Sequence, residues 1–275
     1  MSLHPFDAAV CLSPSAGEPG LYTGASSPDY WNMVGPFGGT TAATAIQAVM
    51  QHPARLGEPI ALTVNYASAL QAGAFSVQAT PVRTNRSTQH WTISLSQTDS
   101  AGMDSVAMTA TVVTAVRRET WSVNDTPMPV VGPPDHAVRF SFPGGVEWIK
   151  RYDIRPLSGL IPNVWDGGGE DSLSLLWVRD YPARPLDFAS LSAMSDIFFP
   201  RVWLRRATHV PVGTVSMTVH FHADSTQLAE CGDGFLLGQA RAQAFRNGFF
   251  DQTAQLWSED GTLLVTTSQI VYYKE

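Results

Sequence analysis

Much of the chain alternates apolar and polar residues with a period of two. Ile60, Leu62, Val64 and Tyr66 alternate with smaller or polar neighbours, as do Trp91, Ile93 and Leu95. Val106, Met108, Ala110 and Val112 follow the same rule, and so do Val215, Met217, Val219 and Phe221. That period predicts strands with one buried face. Glycine-bearing turns punctuate the chain at Gln71–Gly73, Asp99–Gly102, Cys231–Gly234 and Ser258–Gly261. Glycine there supplies the positive φ that closes antiparallel hairpins, so antiparallel meanders are expected.

Only two stretches have helical spacing over more than three turns. The first follows Phe37-Gly38-Gly39, starts from an N-cap at Thr40 or Thr41, runs through Ala42, Ile46, Val49 and Met50, and stops before Pro53. The second starts from an N-cap at Asp187, runs through Phe188, Leu191, Met194 and Phe198, and stops before Pro200. Each precedes a set of long strands. The order then repeats at a spacing of roughly 150 residues. Thr63-Val64-Asn65-Tyr66-Ala67 matches Thr218-Val219-His220-Phe221-His222, and each half continues with an Arg-bearing turn (Asn85-Arg86-Ser87 or Arg246-Asn247-Gly248). A strand with Trp91 or Trp257 follows, then a Gly hairpin and a closing strand. This reads as a duplicated domain: an N-terminal unit at 1–118, a Pro/Gly-rich linker at 119–145 and a C-terminal unit at 146–275. A central helix followed by a curved antiparallel sheet that wraps it is an α+β arrangement, and in tandem it is a double hotdog.

Composition narrows the function. The chain is 44% hydrophobic and only 15% charged, which gives a large core and excludes global disorder. Lys and Arg number 17 against 24 Asp and Glu, for a net charge of −7, and basic residues never run longer than two. A nucleic-acid surface is therefore not expected. Cys11 and Cys231 lie far apart and form no CxxC, so neither a disulfide framework nor a cysteine zinc site is expected. The start of the chain lacks a basic, then apolar, leader, and no window of about 18 apolar residues occurs. The expected protein is cytoplasmic and not membrane-inserted. Its low charge and long strands suggest a homo-oligomer.

Asp196 stands out among candidate chemical groups. It is the only charged residue between the capping Asp187 and Pro200, in a segment otherwise apolar or small. A buried carboxylate must be paired, hydrogen-bonded or retained for function. The plainer reading is an exposed residue at a frayed helix end with Arg201 as its partner. Gln269 sits on the last strand, where neither face is clearly polar. Its amide suits a residue holding a nucleophilic water, or it is a solvent-facing residue on an edge strand. Thr214 begins a strand after Gly213, and its hydroxyl could orient the same water. Strict alternation opposes it to Val215, Met217, Val219 and Phe221, so it reaches a site on their face only through a bulge or a twist. Phe37-Gly38-Gly39 reads either as a tight turn into a buried helix or as an anion-favouring helix N-terminus beside a ligand. The repeat alignment puts Ala110 where Gln269 sits, so one active site per chain is expected. His220 and His222 share a face but lack a third ligand, and Gly167-Gly168-Gly169 lacks the setting of a phosphate loop. No GxSxG elbow occurs, which argues against an α/β-hydrolase.

Five segments together resemble the acyl-CoA thioesterase II family and its double-hotdog relatives: Gly35-Pro36-Phe37-Gly38-Gly39, Tyr152-Asp153-Ile154-Arg155-Pro156, Ser195-Asp196, Gly213-Thr214-Val215 leading to Phe221-His222, and Ser268-Gln269. The resemblance implies that Asp196, Thr214 and Gln269 act together on a water that attacks an acyl-CoA thioester. It further implies Phe37, Gly38 and Gly39 as substrate-binding residues, no metal, no cofactor and a place in fatty-acid metabolism. The alternative is a non-catalytic acyl-CoA or hydrophobic-ligand binding hotdog protein. A hotdog hydratase ranks below both, because neither predicted helix carries an interior His.

Overall fold

The predicted strand stretches all form strands, and hydrogen bonding joins them into one antiparallel sheet. The computed structural model describes residues 3–98, 102–141 and 145–275. The expected turn at Asp99–Gly102 and the end of the expected linker therefore lie partly outside the described residues. In chain order the elements are α1 (Pro5–Ala9), β1 (Ser13–Pro14), β2 (Leu21–Ala25), α2 (Gly38–Gln51), β3 (Glu58–Tyr66), β4 (Ala74–Thr84), β5 (Thr88–Thr98) and β6 (Asp104–Ala115). Then come β7 (Tyr152–Ser158), β8 (Ser174–Asp180), α3 (Phe188–Met194), α4 (Arg201–Arg206), β9 (Val212–Phe221), α5 (Ser225–Cys231), β10 (Leu236–Arg241), β11 (Phe245–Arg246), β12 (Phe249–Ser258) and β13 (Leu263–Tyr273).

The strands lie in the order β1-β2-β4-β5-β6-β3-β9-β13-β12-β10-β8-β7, with β11 paired to β12. The order reads as a palindrome about the β3–β9 junction, where repeat-equivalent strands meet. Thr63 pairs directly with Thr218, its own repeat equivalent, and the two hydroxyls are 3.0 Å apart. An internal two-fold requires that self-pairing. Extending the register corrects one detail. Leu62 faces Val112 and Met217 faces Gln269, so Val112 and not Ala110 occupies the place of Gln269 in the first half. The first half still lacks a glutamine there.

Alternation fails at two strand starts. Val106 and Val215 are exposed because a register shift leaves one extra residue in β6, beside Leu95 and Ser96, and in β9, beside Ile270 and Val271. Such bulges turn the residues beyond them to the other face.

Both helices pack in the core. On α2, Ala42, Ala43, Ala45, Ile46, Ala48 and Val49 are buried, and every residue of α3 is buried. Their buried hydroxyls bond back to helix carbonyls: Thr44 Oγ1 donates to Thr40 O (2.9 Å) and Ser192 Oγ to Phe188 O (2.6 Å). Such internal bonding lets small polar residues enter an apolar interior. Asp187 caps α3 as expected, in a reciprocal capping box with Ser190.

The expected start of α2 is corrected. Phe37 is its N-cap and Gly38 its first residue, so the glycines belong to the helix and do not precede it. A Cβ at Gly39 would lie 2.4 Å from Ala193 O, so glycine is what allows α2 to approach α3 this closely. The expected end of the second helix is corrected as well. α3 stops at Met194 with Ser195 as its C-cap, and the chain turns through Asp196–Pro200 before α4 begins. Arg201 follows that break. Fully buried, it donates to Phe199 O, Ser172 O, Ala240 O and Ser174 Oγ, so its side chain is committed to strands β8 and β10 and the turn before α4. Burial lowers its pKa to about 9. It does not partner Asp196.

Past β6, the chain runs back over the C-terminal half. Trp257 Nε1 donates to Thr126 O (3.3 Å) and Trp177 Nε1 to Gly132 O (3.0 Å), and Met128 and Val131 pack against Trp177, Phe235 and Leu237. No helix among the described residues is long and apolar enough to cross a membrane.

Candidate active site

Asp196 lies one residue beyond the C-cap of α3, and its carboxylate faces the first turn of α2. A Cβ at Gly38 would come within 2.8 Å of Asp196 Oδ2, so only glycine leaves room for the carboxylate. Burial raises the Asp196 pKa to about 7, while the Gln269 amide and the Gly39 backbone N–H, both facing the carboxylate, oppose the rise. The residue remains half-buried, because it borders two cavities that meet at it. The carboxyl is thus poised near neutrality and reachable by water.

Gln269 is buried on β13, a central strand hydrogen-bonded to both β12 and β9, so the edge-strand reading does not hold. Its Nε2 donates to Asp196 Oδ1 (2.9 Å) and lies 3.4 Å from Met217 Sδ. The carbonyl Oε1 is left for other donors. Thr214 Oγ1 is 3.5 Å away from it, the limit of a direct bond. The bulge at Val215 makes this possible. Gln269 faces Met217, Ile270 faces Ser216, and Val271 faces Thr214, so Val215 is skipped and Thr214 turns to the same face as Met217 and Gln269. Asp196, Thr214 and Gln269 therefore come together, from a post-helical turn, a strand start and a central strand.

Phe37 shares the wall of one cavity with this trio. It stacks on Trp148 with centroids 4.4 Å apart and planes at 9°, and forms part of a cavity wall. Gly38 carries its carbonyl to Tyr66, whose hydroxyl donates to it at 2.9 Å. Gly38 opens the 14-residue α2, so its N–H belongs to the positive end of that helix, and the residue borders the second cavity.

The first cavity, about 320 Å³, is walled by Phe37, Trp148, Trp165, Trp203, Phe198 and Phe250, among other side chains. Trp203 stacks on His209 (4.8 Å), and Trp165 stands edge-on to both. The second, about 420 Å³, is more polar and runs along Asn32, Tyr66 and Ser68. Asp196 and Thr214 border both, whereas Gln269 borders only the aromatic chamber.

Two contributors escape the sequence reading. Tyr66 belongs to a strand face expected to be buried, yet its hydroxyl holds the first turn of α2. Gln252 is buried on β12, directly opposite Gln269. The signal for it is present in the chain: Phe250, Gln252, Ala254 and Leu256 form one buried face on which an amide is out of place.

His222 Nε2 lies 3.1 Å from Thr266 Oγ1, and no group of three or more His, Cys, Asp or Glu able to hold a metal occurs among the described residues. A second buried carboxylate, Asp180, lies away from the trio. Burial raises its pKa to about 7 against the opposing charge of Arg184.

Comparison with solved structures supports the architecture. A conserved hotdog protein of unknown function from Alicyclobacillus acidocaldarius is 45% identical, with a TM-score of 0.92 over 100% of this chain and 99% of that one. An acyl-CoA thioesterase II, TesB2, from Mycobacterium marinum is 16% identical, with a TM-score of 0.74 over 98% of each chain. A TesB protein of Mycobacterium avium subspecies paratuberculosis is 15% identical, with a TM-score of 0.77 over 100% of each. At those identities the two mycobacterial proteins show the shared double-hotdog fold alone. No curated protein sequence matches. A family model for the acyl-CoA thioesterase N-terminal domain matches residues 27–115, and one for the C-terminal domain matches residues 125–273. The chain belongs to the acyl-CoA thioesterase family.

Proposed function

We propose that the protein hydrolyses an acyl-CoA thioester to a free carboxylic acid and CoA by direct attack of water. The observation that carries this reading is the convergence of Asp196, Gln269 and Thr214 where an aromatic chamber meets a polar groove. The acyl group enters the chamber and the thiol arm lies in the groove, which sets the thioester carbonyl beside Asp196. A water accepts from Thr214 Oγ1 and donates to Asp196 and to Gln269 Oε1. Asp196 takes the second proton as the oxygen attacks the carbonyl carbon. A base with a pKa near 7 combines the ionised form with useful proton affinity at neutral pH.

The negative charge that develops on the carbonyl oxygen faces Gly38 N–H at the α2 N-terminus. When the carbon–sulfur bond breaks, the proton on Asp196 passes to the leaving thiolate. The balance is thioester plus water giving acid plus thiol. Residues 1–118 and 146–275 form the two units of this reading, joined by 119–145, with Asp196, Thr214 and Gln269 in the second and Gly38 contributed by the first.

The test is thiol release from a panel of acyl-CoAs by the wild type and Asp196→Asn. A fall of about 10²–10⁴-fold is expected for loss of a general base. Unchanged turnover overturns the role of Asp196. Binding of acyl-CoA by the wild type with no hydrolysis at any chain length supports the non-catalytic alternative.

A further inference from the structure

Asn32, His209, Trp148 and Gln252 are polar-bearing side chains of the chamber that the hydrolytic scheme does not use, and of these only Gln252 sits on the strand next to Gln269. Gln252 is only 3% exposed and borders the aromatic chamber but not the groove. Its side-chain amide has no hydrogen-bond partner among the described residues, although Phe250, Ala254 and Leu256 on the same strand face are buried. Amide atoms that open onto a cavity without a protein partner are free to bond whatever enters it. The neighbouring strands supply Gln269, directly opposite, and then Thr214, so the three polar side chains step across β12, β13 and β9.

We propose that Gln252 is a specificity-determining residue that hydrogen-bonds a hydroxyl or oxo substituent at C2 or C3 of the acyl group. The inference rests on the thioesterase reading for its placement. With the carbonyl carbon beside Gln269, one strand spacing of about 4.8 Å carries Gln252 past that carbon and into the acyl side. Carbon–carbon bonds of roughly 1.5 Å put the atoms two or three bonds from the carbonyl within its reach. An amide can accept from a hydroxyl through Oε1 or donate to a ketone through Nε2, so both substituents fit. Farther into the chamber the wall is largely aromatic, with Trp165, Trp203, Phe198 and Phe250. The selected class is acyl thioesters that are polar next to the carbonyl and apolar farther out.

The experiment compares butyryl-CoA with 3-hydroxybutyryl-CoA and 2-hydroxybutyryl-CoA. It reads kcat/KM in the wild type and in Gln252→Met, an unbranched side chain of similar size. Dissociation constants for the same ligands are read by tryptophan fluorescence in Asp196→Asn and in Asp196→Asn combined with Gln252→Met. At least one hydroxylated substrate is expected to be preferred about three- to tenfold, the size of one neutral hydrogen bond, with the ratio near one after Gln252→Met. Each ratio is internal to one variant, so partial loss of folded protein does not alter it. A wild-type ratio of one or less for both hydroxylated substrates, or a preference that survives Gln252→Met, overturns the proposal. If no acyl-CoA is hydrolysed, the thioesterase reading fails, and the binding ratios still decide whether Gln252 reads the substituent.

Discussion

Replacing Asp196 with Asn should separate activity from stability in a pH-dependent way. Burial raises the Asp196 pKa from 3.8 to about 7 in the folded protein. Between those values the folded state keeps a proton that the unfolded chain has released, so the carboxyl costs stability as pH rises and the cost levels off above about 7. Three units at about 1.36 kcal/mol each set an upper figure of about 4 kcal/mol. The cavity water that reaches this half-buried group lowers it, and about 2–4 kcal/mol is a reasonable range. Asn stays neutral at every pH, and its Oδ1 can still accept from Gln269 Nε2. At pH 8 the variant should therefore melt about 4–7 °C above the wild type, from an unfolding entropy of about 2.1 cal/mol/K per residue. The gap should close as pH falls to 4. Thermal melts at pH 4, 5, 6, 7 and 8, paired with thiol-release rates, check both halves. The wild-type kcat/KM should rise with pH through about 7 to a plateau. A melting difference that does not change with pH, or a variant less stable than the wild type at pH 8, would refute the buried-carboxylate argument.

Three other perturbations test how the site is built. Thr214→Val should lower kcat about tenfold or more with little change in melting temperature, whereas Val215→Thr, on the outer face, should leave turnover as it was; strict alternation demands the reverse, and steady-state assays distinguish them. Gly39→Ala should cost about 1–3 kcal/mol in urea unfolding, because its Cβ would sit 2.4 Å from Ala193 O between the two packed helices. Arg201→Met should destabilise by about 2–4 kcal/mol at neutral pH, since it strips donors from the carbonyls of Phe199, Ser172 and Ala240 in the interior; an unchanged denaturation midpoint would refute this account of how the segment after α3 is held.

The parts of this molecule legible in its sequence are those governed by local periodicity. The strands and the repeat follow from side chains that alternate across a pleat, and the self-pairing of Thr63 with Thr218 is the spatial form of that repeat. Asp196 was legible by contrast, as one charge in an apolar stretch. Its setting was not, because the helix ends before it, and the segment that follows is held by long-range bonds, Arg201 to the carbonyl of Ser172 and to Ser174 Oγ, that no local pattern shows. Thr214 shows the limit most clearly. Period two places it with the outer residues, and only the extra residue Val215 in the β9–β13 ladder reverses it. A bulge leaves no mark in hydrophobic pattern, since an exposed Val and a buried Val are the same letter. Gln252 escaped for the opposite reason: its anomaly is local, an amide among Phe250, Ala254 and Leu256, but it gains meaning only when the register sets it against Gln269. Local pattern thus names residues that are out of place, and the strand register decides which of them meet. For this chain the register carries Thr214, Gln269 and Gln252 across three neighbouring strands onto the wall of one cavity, which is why the polar trio and the neighbouring amide are best tested as a single site.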